Sequence, residues 1–252
     1  MRKFFHTTIL GLLIVAAFVT CRTAPQAAEV KFPTGEQVIL LDSAAASVAI
    51  STDTKDNYFE LVNLSEMSIQ MKKPIVKGET RETRLPAYIA FLRGDVEDFT
   101  PKEAKFAQEN MQWAYEQIAK LGSGIMPPRI RLIKTKGNHY GDGVYYTRED
   151  DIIIPANELK TADEAAFRQT MLHEIFHIYS RYHPEKRLAL YGLIGFKPIP
   201  PKFKMPDELS RRVLYNPDGV TMNWAISLKL KNGMTIQAIP AIYATNEGYT
   251  PS

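Results

Sequence analysis

Cysteine is nearly absent from this chain. Cys21 is the only one in 252 residues, so no disulfide can staple the fold, and core burial, with or without a metal, has to hold it. Clustered positive charge is missing too. The formal net charge is +3 with no dense Lys/Arg block, which argues against a nucleic-acid partner, because phosphate binding needs such clusters. There is no internal repeat or low-complexity tract, no Ser-His-Asp order, no nucleotide loop and no cofactor fingerprint. What remains is the composition of an ordinary globular domain, 45% hydrophobic and 23% charged.

The one long apolar run, Ile9 to Val19, is too short for a comfortable membrane span. Arg2 and Lys3 precede it and an Ala/Pro/Thr/Gln-rich stretch follows. That layout predicts a secretory signal over residues 1–21 and a flexible tether over 22–36. Cys21 falls at the end of the run, which predicts lipid attachment as in a bacterial lipoprotein. Phe18 and Thr20 depart from the small or aliphatic residues usual before a lipidated cysteine, so plain cleavage and secretion, or a retained anchor, are the alternatives. The protein is thus expected to be exported to the cell envelope, periplasm or medium, meeting the membrane only through Cys21. Residues 37–252 are left as one folded domain, and their unclosed polar tail leaves open a truncated C-terminus.

Within that domain, period-two apolar pieces at Val38–Leu41, Val48–Ile50, Tyr58–Val62 and Ser68–Met71 predict short strands. Lys72 to Arg84 reads as a loop, and Pro86 to Leu92 fits helix or strand equally. Thr100-Pro101-Lys102-Glu103 combines an N-cap, a proline at the first helical position and a capping-box glutamate. Ala104, Ala107, Met111, Ala114, Ile118 and Leu121 then recur at helical spacing, so a long amphipathic helix should run to Gly122 and pack behind a sheet. Ile130–Ile133 reads as a strand. His139 sits in a glycine-rich loop and is expected at the surface. Val144–Thr147 and Asp151–Ile154 read as a hairpin, residues 185–219 as irregular, and Trp224–Leu230 with Thr235–Ile239 as a hairpin closed by Asn232-Gly233.

Thr161 to His183 carries the chemistry. Thr161 and Glu164 read as a capping box, and Pro184 ends the helix. His173, Glu174 and His177 form H-E-x-x-H. Two histidines four apart share a helix face and can bind one metal ion, with Glu174 beside it as a base for a bound water. That face continues through the small residues Ala166, Thr170 and Ser180, which suits a cleft floor. Leu172, Ile175, Phe176 and Tyr179 form the apolar side.

The motif HEIFH at 173–177, preceded by a long helix, strands and a hairpin, resembles the zincin metallopeptidases over roughly residues 100 to 183. The wider HEIFHIYSRYHPEKRLALYGLIGF is similar to exported bacterial metallopeptidase-like proteins. The resemblance implies an α+β zincin-like fold, a small mixed or antiparallel sheet with a long backing helix and the motif helix. It implies one zinc ion on His173 and His177, Glu174 as general base, and hydrolysis of a peptide or protein substrate. That substrate would pair as an added strand with the edge hairpin. A zincin-fold envelope protein that binds without turnover is the alternative, and hydrolysis of a cell-wall peptide a third.

A catalytic zinc takes three protein ligands, and the third stays open. His183 completes H-E-x-x-H-x-x-S-x-x-H, a spacing that resembles the metzincins, with Ser180 where their pattern has glycine. Met205 and Met222 are candidates for the methionine turn such a site needs. Glu208 is the rival, as in gluzincins, with Glu185 and Glu247 behind it or a residue beyond the chain end. Tyr182, Tyr191 and Tyr215 are candidate hydrogen-bond donors to a tetrahedral oxyanion.

Overall fold

The computed structural model describes residues 28–161, 163–199, 204–220 and 222–251. Residues 1–27, with the segment expected as a signal, Cys21 and the first part of the expected tether, lie outside the described residues. The first element among the described residues is β1 (Ala28–Lys31), which pairs antiparallel with β2 (Gln37–Leu40). The stretch from 28 to 36, expected as tether, is therefore strand and turn.

Helices α1 (Ser43–Ala49), α2 (Tyr58–Leu61), α3 (Leu64–Met71) and α4 (Arg81–Gly94) follow, then β3 (Val96–Glu97), α5 (Pro101–Ala119) and β4 (Arg129–Thr135). Next come β5 (Tyr146–Arg148), β6 (Asp151–Pro155), α6 (Ala156–Thr161), α7 (Glu164–Tyr182) and α8 (Pro184–Leu193). The chain continues through β7 (Phe196–Pro198), α9 (Asp207–Arg212), β8 (Val213–Leu214), β9 (Trp224–Lys229), β10 (Thr235–Ala238) and β11 (Ile242–Tyr243).

The fold is α+β, with nine helices among the described residues. Its main sheet runs β1-β2-β4-β6-β5, with β3 paired to β4 off that path. The pairs β2–β4 and β4–β6 are parallel, and β1–β2 and β5–β6 antiparallel, so the sheet is mixed. Alternation on the central strands explains the layering. Val38, Leu40, Ile130, Leu132, Ile152 and Ile154 point to one face, where Met111 of α5 and Phe167, Met171, Ile175 and Ile178 of α7 complete a core. Ile133, Ile153 and Tyr146 point to the other face, against Ile50, Tyr58, Met67, Tyr88 and Leu92 from the helical segment. Strands buried on both faces read as apolar runs such as IIIP, which hides their alternation.

Three expected strands are helices. Val48–Ile50 lies at the end of α1, and Tyr58–Val62 and Ser68–Met71 fall in α2 and α3. The reason is local: Asp42 accepts a hydrogen bond from the Ala45 amide and Asn63 from the Glu66 amide, so side-chain caps start helices where period two suggested strands. Their buried residues also follow helical spacing, as in Ala46 with Ala49 and Met67 with Met71. Thr80 and Thr83 cap each other to open α4, which keeps Pro86 within its second turn and removes part of the expected loop. The α5 capping box of Thr100 and Glu103 forms as read, although Leu121 lies past the helix and is exposed.

Thr161 closes α6 and bonds the Asn157 carbonyl, and Asp163 is the residue that caps α7. Residues 184–193, expected to be irregular, form α8 with Pro184 at its first turn, where a missing N–H costs nothing. His139 is buried: it bridges Asp95 through Nδ1 and the Tyr146 hydroxyl through Nε2 at 2.9 Å. Among the described residues no helix is long and apolar enough to cross a membrane.

Candidate metal centre

α7 lies against the sheet and α5 with Phe167, Met171, Ile175 and Ile178 inward. Phe176, expected on the buried side, is exposed, while Ser180, expected in a cleft, is buried and bonds the His177 carbonyl. The core-facing stripe is therefore rotated from the sequence assignment, and it carries Glu174 and Arg181 inward with it.

His173 Nε2 and His177 Nε2 stand 2.9 Å apart. Two nitrogens on one tetrahedral zinc at about 2.0–2.1 Å each would be separated by roughly 3.3 Å, so the pair would have to part by about 0.4 Å. Glu174, His177 and Asp218 bring a ligand atom each to within 4.8 Å of one another, and this group could hold a metal ion. Glu174 is buried, and its Oε2 has no hydrogen-bond partner among the described residues. Burial pushes the Glu174 carboxyl up to about 8, the Asp218 charge adds to that, and Arg181 opposes it. Burial also holds the His177 imidazole below its ordinary range, with Asp218 raising and His173 lowering it. A cation beside this imidazole and these two carboxyl groups would favour neutral His177 and ionised Glu174, so a metal ion fits the set.

Asp218 was not a sequence candidate. It lies in the turn Asn216-Pro217-Asp218-Gly219, which has neither a histidine nor the later helix that metal-ligand patterns point to. The strand edge brings it in. On the side of β5 away from β6, the Thr147 amide and hydroxyl both donate to Asp218 Oδ1, at 2.6 and 2.9 Å. Arg181, one turn after His177, fastens the same loop. Its Nη2 donates to the carbonyls of Pro217 and Asp218 at 3.2 Å and to Thr147 Oγ1 at 3.0 Å, Nη1 to the Glu149 carbonyl, and Nε to Asp56 at 2.7 Å. The Thr147 edge is thus covered by the chain itself and is not open for an added strand.

The other candidates lie elsewhere. His183 caps the end of α7, bonds Glu185 at 3.1 Å and packs on the Tyr179 ring. With Pro127, Pro128, Ile178 and Tyr182 it lines a cavity of about 490 Å³. Six residues of helix separate it from His177, roughly 9 Å along the axis and a third of a turn around it. Glu208 pairs with Arg212, and Glu247 with Arg211. Tyr182 shares the cavity with His183, Tyr191 reaches Ser180 Oγ at 3.4 Å, and Tyr215 packs on the second core. Met205 and Met222 are half-buried in loops. Compared with protein families, curated proteins and solved structures, the chain matches none.

Proposed function

We propose that this protein is a zinc-dependent peptide hydrolase of zincin type. The observation that carries the reading is Glu174: buried, with Oε2 unpartnered, beside His177 and Asp218. His177 through Nε2 and Asp218 through a carboxylate oxygen would hold the ion, His173 would join through the Nε2 that lies 2.9 Å from that of His177, and Glu174 would stand beside the ion as the base. A zinc ion in that position supplies Lewis acidity, lowering the pKa of a water toward ~7 and polarising a carbonyl. Glu174 takes the proton from the attacking water at its free Oε2 and returns it to the departing amine. The water's oxygen forms the new bond to the carbonyl carbon as the C–N bond breaks. Thr147 and Arg181 hold Asp218 in place through the contacts described above. The chain that covers the Thr147 edge supports a second reading, a metal-holding envelope protein without turnover.

One experiment separates the two. Purified protein is analysed for zinc and assayed against a mixed peptide library, alongside Glu174→Gln. The hydrolase reading expects zinc in both proteins and a rate loss of at least ~10²-fold in the variant, the usual scale for a removed general base. Zinc with no cleavage by the parent chain leaves the binding protein. No zinc at neutral pH ends both.

A further inference from the structure

The hairpin β9–β10 is two-faced. Ile236 lies opposite Leu228 and Ala238 opposite Ile226, and the Leu230 amide donates to the Met234 carbonyl. Period two therefore sets Ile226, Leu228, Leu230, Met234 and Ile236 on one face, and Ser227, Lys229 and Gln237 on the other, with Lys231 in the turn between the strands. The inner end of the apolar face is covered: Phe196 pairs with Ile226, and Tyr191 packs edge-on to Trp224 at 4.7 Å. The outer end is bare. Leu228, Leu230, Met234 and Ile236 are 36% to 56% exposed. Next to it, α8 buries no residue and leaves Leu188, Leu193 and Ile194 62% to 85% exposed. Ile194 directly precedes Gly195, which lies against the Ile226 side chain, so the two apolar surfaces adjoin.

Charge on the two segments that carry this surface is mostly positive. Residues 184–199 and 224–239 contain Lys186, Arg187, Lys197, Lys229 and Lys231 against Glu185 alone. Among the described residues none of the four lysines forms an ion pair, whereas Glu185 is taken by His183. A contiguous bare apolar face marks a contact site. A second copy of the chain would bring like charges together, and an anionic bilayer is complementary to both features. Its headgroup boundary accepts apolar side chains, its phosphates attract lysine, and long lysine stems reach the headgroups from the opposite face of the hairpin.

We propose that the outer half of β9–β10, with the end of α8, docks this domain onto an anionic lipid surface. The site is independent of the metal centre and of whether the protein turns over a substrate.

The test uses the full chain, sedimented with vesicles of phosphatidylcholine alone or mixed with phosphatidylglycerol, at low and high salt. Arg2 and Lys3 beside the apolar N-terminal run favour anionic lipid equally in parent and variants, so the readout is the difference between parent and variant in the binding that needs the anionic lipid. The parent chain should prefer the anionic vesicles and lose that preference in high salt. Lys229→Glu/Lys231→Glu should cost at least tenfold in affinity for them, since each lysine contributes about fivefold, with no change for phosphatidylcholine. Leu228→Ser/Ile236→Ser should weaken the same binding, and both variants should melt with the parent because every altered side chain is exposed. Binding of both variants within twofold of the parent overturns the proposal. So does a dimer in solution that Leu228→Ser/Ile236→Ser dissociates without changing vesicle binding, which would assign the face to a second copy.

Discussion

Thr147 gives Asp218 two hydrogen bonds from one residue, its amide and its hydroxyl, at 2.6 and 2.9 Å on a single carboxylate oxygen. The edge of the sheet and the metal-capable face of α7 are thereby tied into one unit. Asp218 approaches Glu174 and His177 only because the edge strand presents Thr147 outward and Arg181 holds the loop's carbonyls. The centre is therefore as stable as this edge, which leads to testable consequences.

Thr147→Val keeps the shape and removes the hydroxyl. Asp218 loses one of its two donors and Arg181 one acceptor. The expected loss is about 1–2 kcal/mol of stability, a fall of roughly 2–8 °C in Tm for a domain this size. Zinc affinity should fall with it, by about tenfold, as is common when a group orienting a ligand is removed. Calorimetry and a chelator competition read the two quantities on one sample.

Asp218→Asn and His183→Ala distinguish the two third-ligand candidates. Asp218→Asn should weaken zinc binding by at least about tenfold, because the amide carries no charge to offset the metal's. His183→Ala should bind zinc as the parent does, since His183 is engaged with Glu185 and Tyr179 at the far end of α7. The reverse ranking would return His183 to the site.

Arg181→Lys preserves the charge but cannot span the same acceptors. Its three donors leave the fan of contacts to Asp56, Glu149, Thr147, Pro217 and Asp218 incomplete in a buried place. A loss of about 3 kcal/mol is expected, or roughly 6–12 °C in Tm. Saturating zinc should recover part of it, because an ion that binds only the folded state stabilises by mass action. Differential scanning calorimetry with and without zinc provides the comparison.

Glu66 should make the domain less stable as pH rises through the mildly acidic range. Burial pushes its carboxyl from 4.5 up to about 7, against the opposing hydrogen bonds from the Tyr215 amide and the Tyr58 and Tyr140 hydroxyls. Between those values the folded protein keeps a proton that the unfolded chain has released, so stability falls from about pH 4.5 to about pH 7, by at most about 1.4 kcal/mol per pH unit. Asp151, pushed up to about 7 by burial and opposed by Arg131, contributes in a similar window. Glu66→Gln should flatten the slope in part. An unchanged slope in urea unfolding across that range would mean that Glu66 stays ionised in the fold.

Sequence by itself determined the parts whose causes are local. H-E-x-x-H with a proline behind it places His173 and His177 on one helix face, because both the spacing and the stop act within a few residues. The Thr100 and Glu103 box did the same for α5, and Asn232-Gly233 for β9–β10. Short apolar pieces near the N-terminus misled, since period two in four or five residues also fits a helix, and the caps at Asp42 and Asn63 tipped the balance. The orientation of α7 could not be read either. Small residues looked like a cleft and Phe176 like core, but close packing of Phe167, Met171, Ile175 and Ile178 against the sheet turned Ser180 inward and Phe176 out. Only tertiary structure decided on Asp218. It lies 41 residues after His177, in a turn with no helix to announce it, and comes to the centre through hydrogen bonds to Thr147 and Arg181 that no sequence spacing encodes.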